Sequence, residues 1–157
     1  MNKEKPRLIK SLIYEDFRGI LLKPFAKETQ EKYANAFLDS YTSISKENVF
    51  RGLHYQKQPF SQNKFFYIIK GEVIFYCLNV DNFDEYISFK IKVGDGTLYI
   101  PKGWASGFYC LEKENIVSYL SNDKYHKESE ICLNYSIIPE LRKKDFIISD
   151  KDKCTDF

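Results

Sequence analysis

Along "EYISFKIKVGDG", Ile87, Phe89, Ile91 and Val93 alternate with Ser88, Lys90 and Lys92. A period of two predicts a strand with one buried and one wet face. Short apolar runs cut by turn residues fill most of the remaining chain. "RLIKSLIY" and "RGILLKPF" read as strands separated by "EDF". "FFYIIKG" ends its run at Gly71 and "EVIFYCLNV" follows at once, which predicts a hairpin turning at Lys70 and Gly71. "TLYIP", "KGWASGFYCLE", "NIVSYLSND" and "EICLNYSII" complete the series. Helical spacing appears only over residues 26–41, where Tyr33, Ala36 and Phe37 fall at i, i+3 and i+4. Eight or more short strands with almost no helix predict an all-β jelly-roll barrel carrying one or two short helices. The expectation is a single domain over residues 1–157, with a cavity between its sheets lined by every second residue of several strands.

Composition agrees with strands: 17% of residues are aromatic, among them 12 Tyr and 13 Phe, side chains that suit a pleated surface. A net charge of +2 gives no basic surface, so neither nucleic acid nor a membrane is expected as a partner. The N-terminal "MNKEKPRLIKSLIYEDF" lacks an apolar core of signal-peptide length, and no run approaches membrane-spanning length. A cytoplasmic protein is the expectation. Cys77, Cys110, Cys132 and Cys154 are scattered without metal-ligand spacing, and read as reduced thiols rather than a disulfide framework.

The chain has two histidines. His126 lies in the polar "NDKYHKESE" and reads as an exposed loop residue. His54 lies in "ENVFRGLHYQKQ", where alternation puts Arg51, Leu53 and Tyr55 on one face and Gly52, His54 and Gln56 on the other. Taken alone, His54 reads as a core histidine held by a hydrogen bond. No clustered set of imidazole or thiolate ligands accompanies it, so no metal is expected.

"NVFRGLHYQ", "QNKFFYIIKGEVIFYCLNV", "LYIPKGWASGFYCL", "VSYLSNDKY" and "IISDKD" occur in an order and spacing that resemble one family. These are the nucleoside-diphosphate 4-keto-6-deoxysugar 3,5-epimerases, the group that includes dTDP-4-dehydrorhamnose 3,5-epimerase. The resemblance runs from about Asp16 to Asp152. It implies a homodimeric cupin-type jelly roll with a nucleoside-diphosphate sugar as substrate and neither metal nor organic cofactor. It also implies roles. His54 matches the base, Asp152 the carboxylate paired with it, Tyr119 the acid and Lys64 the cation at the enolate oxygen. Arg18 and Arg51 match residues that hold the pyrophosphate or sugar, Gln56, two positions after the base, is expected to bind the substrate, and Tyr125 matches an aromatic residue at the nucleotide end.

The chemistry explains the residue types. A C4 ketone acidifies the hydrogens on C3 and C5; a base near neutral pKa removes one, and an acid returns a proton to the opposite face. A cation must meet the oxygen where negative charge develops. One position departs from the family's "IPxGxAHGF": the chain writes "IPKGWASGF", so Ser106 replaces a histidine in the expected substrate pocket. Serine does not titrate near neutral pH. Three readings follow: an epimerase acting at C3, C5 or both; a sugar-nucleotide binder that lost turnover through Ser106; and, less well supported, a 3,4-ketoisomerase, whose paired histidines are missing from this strand.

Overall fold

The computed structural model describes residues 4–25 and 39–154. Among the described residues twelve strands follow one another: β1 (Arg7–Ile9), β2 (Leu12–Asp16), β3 (Gly19–Lys23), β4 (Asp39–Lys46), β5 (Phe50–Gln56), β6 (Lys64–Lys70), β7 (Glu72–Asn79), β8 (Tyr86–Lys92), β9 (Thr97–Ile100), β10 (Trp104–Cys110), β11 (Glu114–Ser121) and β12 (Glu130–Cys132). They form one antiparallel sheet ordered β1-β9-β6-β11-β4, a second ordered β12-β5-β10-β7-β8, and a separate β2–β3 hairpin. Two antiparallel sheets whose neighbours are distant in sequence make the jelly roll that the strand pattern predicted.

A core between the sheets holds Phe66, Ile68, Val73, Phe75, Leu98 and Val117. A second cluster lies on the outer face of the β12-β5-β10-β7-β8 sheet, where Phe50, Leu53, Tyr76, Leu78 and Ala105 meet Ile138 and Leu141 from the C-terminal segment. That sheet is therefore buried on both faces. This explains why "EVIFYCLNV" reads as an unbroken apolar run instead of alternating. β8, at the sheet's edge, keeps the alternation: Ile91 is buried while Ser88, Lys90 and Lys92 are exposed. Val93 lies past the strand's end and is exposed.

The hairpin expected at Lys70 and Gly71 does not form. β6 pairs with β9 and β11, whereas β7 pairs with β10 and β8, so the chain crosses between sheets at Gly71. Gly71 has φ +85°, and a Cβ there would come within 2.5 Å of Asn115 Oδ1. That same oxygen accepts the Glu72 backbone N–H, which stitches the corner to β11. "RLIKSLIY" likewise divides, its first part joining β9 as β1 and its second forming the hairpin with β3. The helical reading of residues 26–41 falls mostly outside the described residues; its last three, Asp39, Ser40 and Tyr41, are strand. Among the described residues the helical segments are short 3-10 turns, such as Lys127–Ser129 and Asp150–Asp152. No helix among them is long and apolar enough to cross a membrane.

Candidate functional site

A cavity of about 440 Å³ opens between the sheets, a size suited to a small ligand. His54 and Arg51 reach it from β5, Ser106 and Phe108 from β10, Lys64 and Phe66 from β6, and Tyr119 from β11. Strict alternation would put Arg51 and His54 on opposite faces, as expected from the sequence. The register with β10 shows why it does not. Ser106 faces His54 and Phe108 faces Arg51, so between these pairs one residue of β10, Gly107, stands against two of β5, Gly52 and Leu53. The extra residue is a bulge at Gly52, whose φ of +123° a side chain would oppose. Leu53 is thereby turned into the outer cluster, and Arg51 and His54 share the cavity.

Asp152 reaches His54 from a separate part of the chain. Residues 147–152 run beside the start of β5, held by Phe50 N–H to Ile147 O at 3.0 Å and Ile147 N–H to Asn48 O at 2.9 Å. The chain then makes the Asp150–Asp152 turn, with Ser149 Oγ accepting the Asp152 N–H. Asp152 Oδ1 stands 2.9 Å from His54 Nε2, and its Oδ2 accepts the Gly52 N–H at 3.3 Å. Burial on its own would raise the Asp152 carboxyl, but hydrogen bonds from His54 and Gly52 and nearby Lys151 hold it below the usual carboxylate range. Asp152 is thus ionised, and Nε2 carries the hydrogen between them. The Nδ1 lone pair is the one left to accept a proton.

Across the cavity Tyr119 stacks between Tyr41 at 4.9 Å and Phe66 at 4.7 Å. Burial pushes its hydroxyl above the usual phenol range, so it is protonated at neutral pH. Lys64 opens β6 on the same sheet. Burial lowers its ammonium to about 8, against the opposing pull of Glu130. Phe66, Phe75 and Phe108 supply an apolar wall, with centroids 5.0 and 5.2 Å apart around Phe75.

The other expected residues divide. Ser106 is buried in the cavity next to His54. Gln56 lines it too, but its amide clamps the backbone of His126, accepting the N–H at 3.2 Å. His126 is half-buried and stacks on Phe60 at 3.7 Å, so it is not the exposed loop residue its sequence context suggests. Tyr125 stands at the rim and donates to Glu130 Oε2 at 2.7 Å. Arg18 is not brought to this cavity: it sits exposed on the β2–β3 hairpin, paired with Asp16 at 2.6 Å.

Glu130 and Lys151, joined at 2.6 Å, line the cavity without having been singled out from the sequence. Lys151 had a signal, since it immediately precedes Asp152. Cys132 and Cys154, expected as thiols, form a disulfide with Cα atoms 6.0 Å apart, because the C-terminal segment folds back onto β12. Cys77 and Cys110 are free, as expected, and both are buried.

Comparison with known proteins gives the chain a family. The profile of the dTDP-4-dehydrorhamnose 3,5-epimerase family matches residues 4–156. The chain is 29% identical over 168 residues to the dTDP-4-dehydrorhamnose 3,5-epimerase of Shigella flexneri, covering 97% of this chain and 93% of that one. Identity with the Escherichia coli enzyme of the same name is 30% over 160 residues, covering 93% and 85%. Among solved structures, dTDP-6-deoxy-D-glucose-3,5-epimerase of Legionella pneumophila, in complex with dTDP-4-keto-L-rhamnose, superposes with a TM-score of 0.80. That pair is 28% identical and covers 94% of this chain and 89% of the other.

Proposed function

The chain belongs to the dTDP-4-dehydrorhamnose 3,5-epimerase family and is a sugar-nucleotide epimerase, and we propose that His54 and Tyr119 invert the sugar by proton transfer across the cavity. The observation that carries this reading is the placement of the two groups on facing sheets. His54 stands on β5 of one and Tyr119 on β11 of the other. A sugar ring held between them meets a base on one face and an acid on the opposite one, which inversion requires.

His54 Nδ1 takes the hydrogen from the carbon beside the C4 ketone, and the C–H electrons move into the enolate. Asp152 stabilises the imidazolium that results. The Lys64 ammonium meets the enolate oxygen as charge gathers there. Tyr119 O–H then protonates the same carbon from the far side, and solvent restores both groups. Arg51, whose Nε–H donates to Ser45 Oγ at 2.9 Å, is held in place to receive the diphosphate or the sugar. Ser106 leaves the imidazole of His54 as the single histidine in the cavity among the described residues. Loss of turnover, the other reading of Ser106, is not favoured, because the base, its carboxylate, the acid and the cation line one cavity in a family of epimerases.

The substrate we infer is a dTDP-linked 4-keto-6-deoxysugar. In D2O, the protein incubated with that compound places deuterium at C3, C5 or both, and proton NMR reads the positions. GDP- and CDP-linked counterparts run beside it test the nucleotide. Absence of deuterium from every carbon in all three would overturn the reading.

Lys64 gives the reaction a pH dependence. Burial favours its neutral amine, so the charged form is present below about 8 and lost above it. Exchange therefore falls as pH rises through about 8, and Lys64→Arg, which stays charged, moves this alkaline limb upward. A limb at the same pH in both proteins would assign it to another group.

The β2–β3 hairpin exposes Ile13, Tyr14, Phe17, Ile20 and Leu21, with Phe17 99% exposed. A homodimer in which this arm packs on a second copy would cover that apolar surface and carry Arg18 towards the partner's cavity. Sedimentation of a monomer at micromolar concentration would remove both the dimer and that role for Arg18.

A further inference from the structure

Cys132 lies on β12 directly across from His54 on β5. Cys154 follows Asp152 by two residues, and its sulfur is 3.5 Å from the Asp152 carbonyl oxygen. The disulfide between them therefore joins the strand beside the base to the segment that carries the base's carboxylate. An imidazole nitrogen of His54, Cys132 Sγ and a carboxylate oxygen of Asp152 all lie within 4.8 Å of one another. Donor atoms bound to one tetrahedral zinc are separated by about 3.3 to 3.8 Å, so a contraction of roughly 1 Å would bring this trio to a metal. Nitrogen, thiolate and carboxylate are the donor types that borderline divalent cations select. In the disulfide, however, the Cys132 sulfur is already committed.

We propose that reducing the Cys132–Cys154 disulfide creates a zinc site from Cys132, His54 and Asp152, and that zinc bound there switches the epimerase off. The switch rests on the reading of His54 as the base; the metal site does not. A dithiol or phosphine reductant supplies two electrons, and with two protons the S–S bond becomes two thiols. On capture, the Cys132 thiol releases its proton to solvent and its thiolate binds the cation. The cation replaces the hydrogen held between His54 Nε2 and Asp152, and the ring's one hydrogen moves to Nδ1. An imidazole bound at Nε2 and protonated at Nδ1 has no lone pair with which to take a proton from carbon. Asp152 is withdrawn from the ring at the same time.

Four forms of the protein test this: the oxidised chain, the reduced chain, Cys154→Ser and Cys132→Ser. Both variants lose the disulfide, but only Cys154→Ser leaves Cys132 as a permanent thiol. Cobalt(II) serves as the spectroscopic probe, because thiolate ligation gives a near-ultraviolet charge-transfer band. That band is expected in the reduced chain and in Cys154→Ser, and absent from the oxidised chain and from Cys132→Ser. Zinc chloride at roughly micromolar concentration is expected to lower deuterium exchange by about tenfold or more in the first pair, each form measured against its own metal-free rate. The second pair is expected to be insensitive.

A Cys154→Ser protein without the band, or equal zinc sensitivity in Cys132→Ser, would overturn the site. The band without loss of exchange would overturn the switch and remove His54 from the role of base. Because the absorption does not depend on turnover, failure of the epimerase reading and failure of the metal site are told apart.

Discussion

Replacing His54 with asparagine lowers deuterium exchange at the carbons flanking the ketone by about 10²- to 10⁴-fold, the usual contribution of a positioned general base. That is about 3 to 5 kcal/mol of barrier. Asparagine is close to histidine in size and keeps an amide able to donate towards Asp152, so the β5–β10 register and the melting temperature change little. What disappears is the lone pair of a titratable nitrogen. The effect falls on the rate of exchange rather than on nucleotide binding, because Arg51 and Tyr125, which line the same cavity, are unchanged. Asp152→Asn is the companion measurement. It keeps a group near Nε2 but removes the charge that balances the imidazolium, and it allows the ring to hold its hydrogen on the wrong nitrogen. Both variants are read by the same NMR experiment, with circular dichroism to establish that the strands persist. Exchange by His54→Asn at the wild-type rate would exclude His54 as the base.

Gly52→Ala produces the other large effect, this time on the fold. A Cβ at Gly52 would stand 2.5 Å from Gly107 Cα and 2.8 Å from Ser106 O, both backbone atoms of β10. Neither can swing aside as a flexible side chain would. The φ of +123° adds conformational strain for any residue with a side chain. Together these predict a loss of about 3 kcal/mol or more, which lowers the melting temperature by roughly 6–12 °C in a chain of this size. Activity falls further than stability. The Gly52 N–H binds Asp152, and the bulge at Gly52 is what sets Arg51 and His54 on the same side of β5. Thermal denaturation and the exchange assay at a temperature where the variant is folded separate the two effects. A variant that melts with the wild type would show that β10 yields at Gly107.

These two residues also mark how far the sequence could be read. The strands were legible because apolar runs and turn residues are local features, and β8 kept its alternation because one of its faces is wet. The pairing of His54 with Asp152 was legible only through family resemblance, since 98 positions separate them and no periodicity joins them. Alternation puts Arg51 on the wrong face because a one-residue bulge reverses it, and nothing in "RGLH" besides its glycine marks one. The turn at Gly71 looked like a hairpin because a glycine between two apolar runs fits a hairpin and a sheet crossover alike. Asn115, 44 residues away, selects the crossover by accepting the Glu72 N–H at the corner. Cys132 and Cys154 read as separate thiols for the same reason: their spacing carries no motif, and only the returning C-terminal segment unites them. Arg18 shows the reverse case, a residue assigned by resemblance to a pocket that its own chain does not bring it near.

Nitrogen-15 NMR of the imidazole rings tests the His54–Asp152 dyad most directly. The chain has two histidines, and removing His126 assigns the remaining signal. When the ring carries a single hydrogen, that hydrogen is expected on Nε2, facing Asp152, with an unprotonated Nδ1 available to the substrate. A His54 ring holding its hydrogen on Nδ1 under those conditions would contradict it, because the nitrogen assigned to take the sugar's proton would already be occupied.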